Sequence, residues 1–445
     1  MFDFPKDLYC DVRIERVFKT NIAYFKGELE QNNEENYCGA FIRVFDGDRW
    51  YYSSISDEKN IQREINKLSL MANKNPHIYE NPIVQKFSVN RAEVVRYEGE
   101  SVKNVPNNRK DNYLKKYFDT IEQYKEVSSW GAKYIDRYVI REFYSSKGAS
   151  VKYDNNVFGV AVRLTLTYEK EVFNHGWQKS LKSFEDLEEN KEELKDAIEE
   201  GINFVKNAKP IEPGEYTAVL APIVAGVFAH ESFGHKSEAD FMVGDEGMKA
   251  EWQIGKQVGS SILSIVDYGN IEGSWYTPFD DEGNKCTKTY LIKEGKLAGR
   301  LHDSSTAAIL EDEVTGNGRA INFQFEPIPR MTNTYIEKGD KTFEELVGEI
   351  KDGIYIKDIN HGSGMSTFTL APSISYRIRD GKLAEPLKIA VATGTVFETL
   401  NLIDGLSDEI ELFAFLTGGC GKMEQWPLPV GFGGPYVRVK KLFVQ

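Results

Sequence analysis

Thr217-Ala218-Val219-Leu220-Ala221-Pro222-Ile223-Val224-Ala225-Gly226-Val227-Phe228-Ala229-His230-Glu231-Ser232-Phe233-Gly234-His235 reads as a short strand running directly into a buried helix. Residues 217–221 have strand composition. Pro222 suits the first helical turn, where its missing N–H is not needed. From Ile223 onward apolar side chains fall on every side, so this helix is buried rather than lying on a surface. It carries two imidazoles and a carboxylate into the interior.

Histidine is scarce here, six in the whole chain, yet two of the six bracket Glu231. Neutral imidazole is a standard zinc ligand, and a carboxylate beside a metal can serve as general base. The spacing differs from the usual i, i+4 pair of helical zinc sites. Residues five apart stand about 140° from one another on an ideal α-helix. A shared ion therefore requires an i→i+5 π turn at His230–His235. The plainer alternative is a pair of hydrogen-bonded histidines at a buried helix end. A catalytic zinc also needs a third protein ligand. Glu238, Asp240, Asp245 and Glu246 are near in sequence; His302, His361 and Cys420 are distant. Glycines on both sides of Cys420 let its backbone approach another element, although most such cysteines are small core hydrophobes.

Outward from this stretch, the second half is rich in strands at 217–221, 290–293, 366–370, 387–395 and 437–444. One clear helix opens at Thr342-Phe343-Glu344-Glu345, with Gly353 placed as its terminal glycine. The Gly-rich tail from Gly418 to Gly434 reads as loop. The first half begins with strand-like runs at 9–18, 22–29, 37–45 and 50–54, followed by helices over 58–72 and 112–126. More strands follow at 132–144 and 157–168. Ser183-Phe184-Glu185-Asp186 resembles a capping box, opening an acidic, solvated helix that ends near Asn207. Strands followed by helix thus occur twice before residue 207, a hint of duplication. The segment 208–214 has linker composition. The expected architecture is α+β: an N-terminal α/β domain of antiparallel strands and helices over 1–207, and a β-rich domain over 215–445 carrying the buried metal-site helix.

A chain of 445 residues exceeds what one core normally supports, consistent with two domains. The balance of 55 Lys+Arg against 69 Asp+Glu leaves −14, which repels phosphate backbones and anionic lipid. Neither nucleic acid nor membrane is expected as a partner. Four cysteines without CxxC spacing, and an N-terminus without a cationic leader and apolar run, make the cytoplasm the expected compartment. No phosphate-binding glycine motif occurs at a strand-to-helix turn. Asp280-Asp281-Glu282-Gly283-Asn284 reads as a polar turn in preference to a second cation site.

The sequence resembles the TldD/PmbA family of metallopeptidases, on its TldD-like side. The residues that carry the likeness are the His-Glu-x-x-Gly-His motif, Asp280-Asp281-Glu282-Gly283, Pro327-Ile328-Pro329-Arg330-Met331-Thr332-Asn333-Thr334-Tyr335 and Gly353-Ile354-Tyr355. Gly419-Cys420-Gly421-Lys422 and Pro429-Val430-Gly431-Phe432-Gly433-Gly434-Pro435 complete them. The match covers nearly all of the second half and, more loosely, the first. What the resemblance implies is a zinc-dependent peptidase acting on peptides or unfolded polypeptide. It further implies zinc held by His230, His235 and Cys420, with Glu231 as acid/base, in a homodimer or a heterodimer with a PmbA-like subunit. The competing reading is a non-catalytic binding or assembly subunit with a structural zinc, for which Glu231 would not be required. Two departures stand out. Ser232-Phe233 replaces a smaller pair, so that Phe233 is expected to narrow the pocket. His361 lies in a usually Gly-rich stretch and is expected to reach toward substrate.

Overall fold

The computed structural model describes residues 2–272 and 274–445. Two long strands open the chain, β1 (Tyr9–Phe25) and β2 (Glu28–Phe45). Lys26 and Gly27 between them both have positive φ, 48° and 79°, the signature of a tight two-residue hairpin turn. The expected strand at 22–29 is therefore two strands and a turn. The first sheet runs β3 (Trp50–Ile55), β2, β1, β5 (Val127–Ser145), β6 (Ser150–Tyr168), with β4 (Arg91–Val94) and β7 (Glu171–Ser180) both on β6. Within this sheet, among the described residues, only the β4–β6 ladder is parallel. Strands from both supposed repeats thus merge into a single sheet.

Period-two alternation divides the faces of β1. Val12, Ile14 and Ile22 pack under helices, the first pair beneath Ile61–Met71 and Ile22 beneath Leu187–Asn207 and its neighbours. The helix expected over 112–126 is two short ones, Asn107–Lys115 and Phe118–Glu122. At 183–186 no capping box forms. The Ser183 hydroxyl accepts from the Glu185 N–H, closing a local turn, and the helix starts at Leu187. That helix is solvated on one face only, since Leu194, Ile198 and Ile202 are buried in the first-half core.

The opposite face of β1 carries Asp11, Arg13 and Glu15, which meet the second half. Arg13 Nη2 donates to the carbonyls of Asn322 (2.8 Å) and Phe325 (2.9 Å), and Glu15 accepts from the Phe323 N–H. Gly39 sits directly under the Phe323 ring, where a Cβ would fall 2.3 Å from it. Asp280–Asn284 is a turn as expected, but a buried one. Asp280 accepts backbone N–H groups of Glu282, Asn284 and Gly318. Glu282 pairs with Arg43 at 3.1 Å, and Arg43 also pairs with Asp11 at 2.8 Å. All three side chains are buried. Removing one member leaves an uncompensated buried charge. Arg43→Ala should therefore cost about 3–5 kcal/mol, read as a lower urea midpoint, whereas exposed Arg49→Ala should change little.

The second half has two main sheets. The larger, ten-stranded one begins at an edge strand, Ile359–Gly364, and passes through Thr367–Pro372, Ala392–Thr395, Val437–Val444 and Gly214–Leu220 to Asp352–Ile356 and beyond. Lys209–Pro210, inside the linker-like segment, adds a short strand at its far side. The six-stranded sheet ends on Asn333–Ile336, Gly431–Gly434 and the edge strand Glu411–Ala414. Thr342 makes the expected capping box with Glu345. Gly353, however, belongs to a strand and not to a helix end; its missing side chain admits Thr217, whose carbonyl a Cβ would meet at 2.5 Å. Nor is 387–395 one strand, since it divides between Lys382–Lys388 and Ala392–Thr395. The Gly-rich tail is not loop either. It supplies the hairpin Cys420–Lys422/Gln425–Leu428 and the strand Gly431–Gly434. The fold is α+β with dominant antiparallel pairing, and among the described residues no helix is long and apolar enough to cross a membrane.

Candidate metal centre

The helix Pro222–Ala229 follows the strand Gly214–Leu220 after a single residue and packs against strands of both second-half sheets. Cover on every side explains its apolar circumference. Gly226 sets how closely it can lie, because a Cβ there would fall 2.4 Å from the backbone nitrogen of Gly433. Gly226→Ala must push the helix off that strand. We expect a loss of about 1–3 kcal/mol in thermal unfolding, with weaker metal uptake because both histidines ride on the displaced helix.

Past Ala229 the helix widens. His230–Gly234 is a π turn closed by the His235 N–H donating to the His230 carbonyl, the i→i+5 bond that the histidine spacing requires. The two rings lie with centroids 5.2 Å apart. Gly234 faces Met331, whose sulfur a Cβ would overlap, so the turn is pressed against the 327–335 segment.

Cys420 reaches the same place on its hairpin. A ligand nitrogen from each histidine and the Cys420 sulfur all lie within 4.8 Å of one another, and no other such cluster occurs among the described residues. Cys420 Sγ is 3.4 Å from His235 Nε2. The hairpin is clamped by Arg330, which donates to the carbonyls of Cys420 (2.9 Å) and Gln425 (3.3 Å). Lys422, two residues beyond the cysteine, donates to Asp240 Oδ1 and to the Pro329 carbonyl.

The remaining candidates take other roles. Glu238 is fully buried, with Oε2 3.2 Å from His235 Nδ1 and 3.1 Å from Lys422 Nζ. A carboxylate only accepts, so Nδ1 of His235 carries a proton toward Glu238, and Nε2 is the nitrogen that faces the sulfur and gives up its own proton to bind a metal. This orienting role was within reach of the sequence, since Glu238 follows His235 by three residues at a helix end. Asp240 is held by Lys422, Asp245 caps the helix Glu246–Glu251, and exposed Glu246 pairs with Lys249. His302 is buried beside Thr306 and Asp312, outside the cluster. Phe233 is buried against Trp252, ring centroids 4.7 Å apart, so it packs the core and does not narrow the pocket.

Burial opposes charge at this centre, but the neighbours outweigh it. Hydrogen bonds to Cys420 and Glu238 hold the His235 imidazole up at about 10. Burial would raise the Cys420 thiol, yet His230 and His235 bring it well below its ordinary value. Thiolate is thus the favoured form, and thiolate is the metal-binding form. Two imidazoles and a thiolate are a zinc-type donor set. Among the described residues His230 Nδ1 is buried with no hydrogen-bond partner, an orphan that a cation or bound substrate would satisfy. The residues present fit a zinc ion.

His230, Glu231 and Cys420 line a cleft of about 1990 Å³ between the two halves. Pockets for small molecules are about 300–1,000 Å³, so this one suits a longer ligand. Glu231 is half-buried on its wall, and the edge strand Ile359–Gly364 runs alongside. A Cβ on Gly362 would come 3.4 Å from Glu231 Cγ, so the strand's glycines let it lie against the π turn. His361, exposed, opens onto the same cleft.

Residues 213–445 match the PmbA/TldA metallopeptidase C-terminal domain, and residues 10–72 match PmbA/TldA metallopeptidase domain 1. A metalloprotease of Methanocaldococcus jannaschii is 30% identical over 97% of this chain and 95% of its own. A protein of Saccharolobus solfataricus named as a zinc metalloprotease TldD homolog is 28% identical, over 98% of this chain and 96% of its own. The crystal structure of TldE from Thermococcus kodakarensis superposes with a TM-score of 0.77 at 17% identity, covering all of this chain and 97% of that one. With domain matches at both ends and relatives aligned along its whole length, the chain belongs to the TldD/PmbA family of metallopeptidases.

Proposed function

We propose that the chain is a zinc-dependent peptidase that hydrolyses peptides or unfolded polypeptide segments. The observation that carries this reading is the meeting of His230, His235 and Cys420 at the wall of the large cleft, with Glu231 beside them. The zinc name of the Saccharolobus relative supports the choice of ion. His230, His235 and Cys420 would hold the metal, and zinc, when bound, supplies Lewis acidity toward the scissile carbonyl and acidifies water.

The chain's own groups do the rest. The Glu231 carboxylate accepts a proton from the attacking water and returns it to the leaving amine. Glu238 keeps the His235 proton on Nδ1 and the ring turned toward the centre. Arg330 and Lys422 fix the hairpin that presents the thiolate. The cleft walls hold an extended chain and restrict water around it. The acting unit we propose is a dimer, of two copies or of one copy with a PmbA-like subunit, as the family resemblance implies.

The test uses metal-free and zinc-reconstituted protein, alone and with a PmbA-like partner, against an unfolded-peptide mixture read by mass spectrometry. Cleavage should appear only with zinc and stop when a chelator is added. Full zinc occupancy without cleavage in either assembly would favour the structural-zinc reading.

A further inference from the structure

The catalytic wall of the cleft is unequal in character. On one side of Glu231 lies the exposed, polar strand Ile359–Gly364. On the other stand three phenylalanines. Phe413, on the edge strand Glu411–Ala414, pairs directly across from Phe432, so both rings leave the sheet on one face. Phe415 follows two residues after Phe413 and meets Phe432 edge-on, centroids 5.9 Å apart. Phe432 in turn lies 6.3 Å from the His230 ring. All three line the cleft, and Phe413 and Phe415 remain only half-buried. Gly418 keeps this space open, since a Cβ there would strike the Phe415 ring at 2.3 Å.

We propose that Phe413, Phe415 and Phe432 form a subsite for a large apolar side chain next to the scissile bond. Peptides with Phe, Leu or similar residues at that position are then preferred, and those with Asp or Glu are refused. The proposal rests on the peptidase reading above and names the substrate class of that same site. Apolar surface left half-open beside a reacting centre gains free energy only when a ligand covers it. Aromatic walls reward aromatic or branched side chains with edge or stacked contacts. The refusal of acidic residues comes from the surroundings. The second-half residues that line the cleft include Glu231, Asp358 and Glu411 and, among those described, no Lys or Arg; Glu272 there is already paired with Arg96, and the lining cations Arg109, Lys133, Arg163, Lys179 and Lys182 all belong to the first half. Beside Glu231 an acidic side chain meets like charge with no cation on its own wall to pair with.

The experiment measures binding and cleavage separately. Zinc-loaded Glu231→Gln protein is titrated with fluorescent peptides identical except for Phe, Gly or Glu at one position. The Phe peptide should bind roughly 10- to 100-fold tighter than the Gly peptide, the range for burying one large side chain, with Glu weakest. Phe415→Ala should bring the Phe/Gly ratio toward one, and Phe415→Arg should raise the Glu peptide above Gly. Phe413→Ala gives a second reading should either Phe415 variant lose its thermal transition. In wild-type protein the same ranking should appear in kcat/KM. Equal binding of Phe and Gly peptides, or a ratio unchanged in the Phe variants, overturns the subsite. Discrimination in binding with no cleavage by wild-type protein keeps the subsite and removes the peptidase reading instead.

Discussion

Glu231→Gln should retain zinc and lose peptide cleavage by roughly 10²-fold or more, the range for a positioned acid–base group. The substitution keeps size and shape but removes the group that accepts the proton. Glu231 makes no ion pair or hydrogen bond with another side chain among the described residues, so no structural partner is lost. The deficit should fall on kcat more than on KM, because the missing interaction acts in the transition state. Wild-type rates in zinc-loaded Glu231→Gln would remove the residue from the chemistry. Loss of zinc together with activity would make it a ligand and not a base.

Cys420→Ala and His235→Ala should each weaken zinc binding by more than roughly 10²-fold, the upper figure for losing a merely supporting group. Glu238→Gln should weaken it by roughly 10- to 100-fold, since the imidazole keeps its nitrogen but loses the carboxylate that orients it. The order Cys420→Ala and His235→Ala, then Glu238→Gln, then wild type separates ligands from their support. His77→Ala should leave affinity unchanged, because that ring is exposed and pairs only with Glu80. Isothermal titration with zinc reads all of these. Full affinity in Cys420→Ala would transfer the third ligand position to another group and sever the late hairpin from the centre.

Much of this arrangement is local, and what is local was legible. A strand, one residue, Pro222 and an all-round apolar run describe the site helix as it stands. The five-residue histidine spacing demands the π turn that the backbone makes. Cys420 is different. It arrives on a hairpin from 185 residues away, and no periodicity links it to His235; only the family resemblance paired them. The tail misled because glycine composition reads as loop, whereas Gly433 and Gly419 are small to let strands approach: Cβ atoms there would meet the carbonyls of Glu411 and Leu428. The acids at 280–282 read as a polar turn and not as a buried ion-pair cluster because their partners, Arg13, Arg43 and Arg141, lie on the far sheet. Burial of a charge is a tertiary fact, and a single turn does not carry it.

The most direct test of the account is X-ray absorption at the zinc edge of stoichiometrically loaded wild-type protein, with Cys420→Ala as comparison. Two imidazole nitrogens and one sulfur around the metal, with the sulfur scattering gone in the variant, is the result predicted. A shell of nitrogen and oxygen alone in the wild type would contradict it.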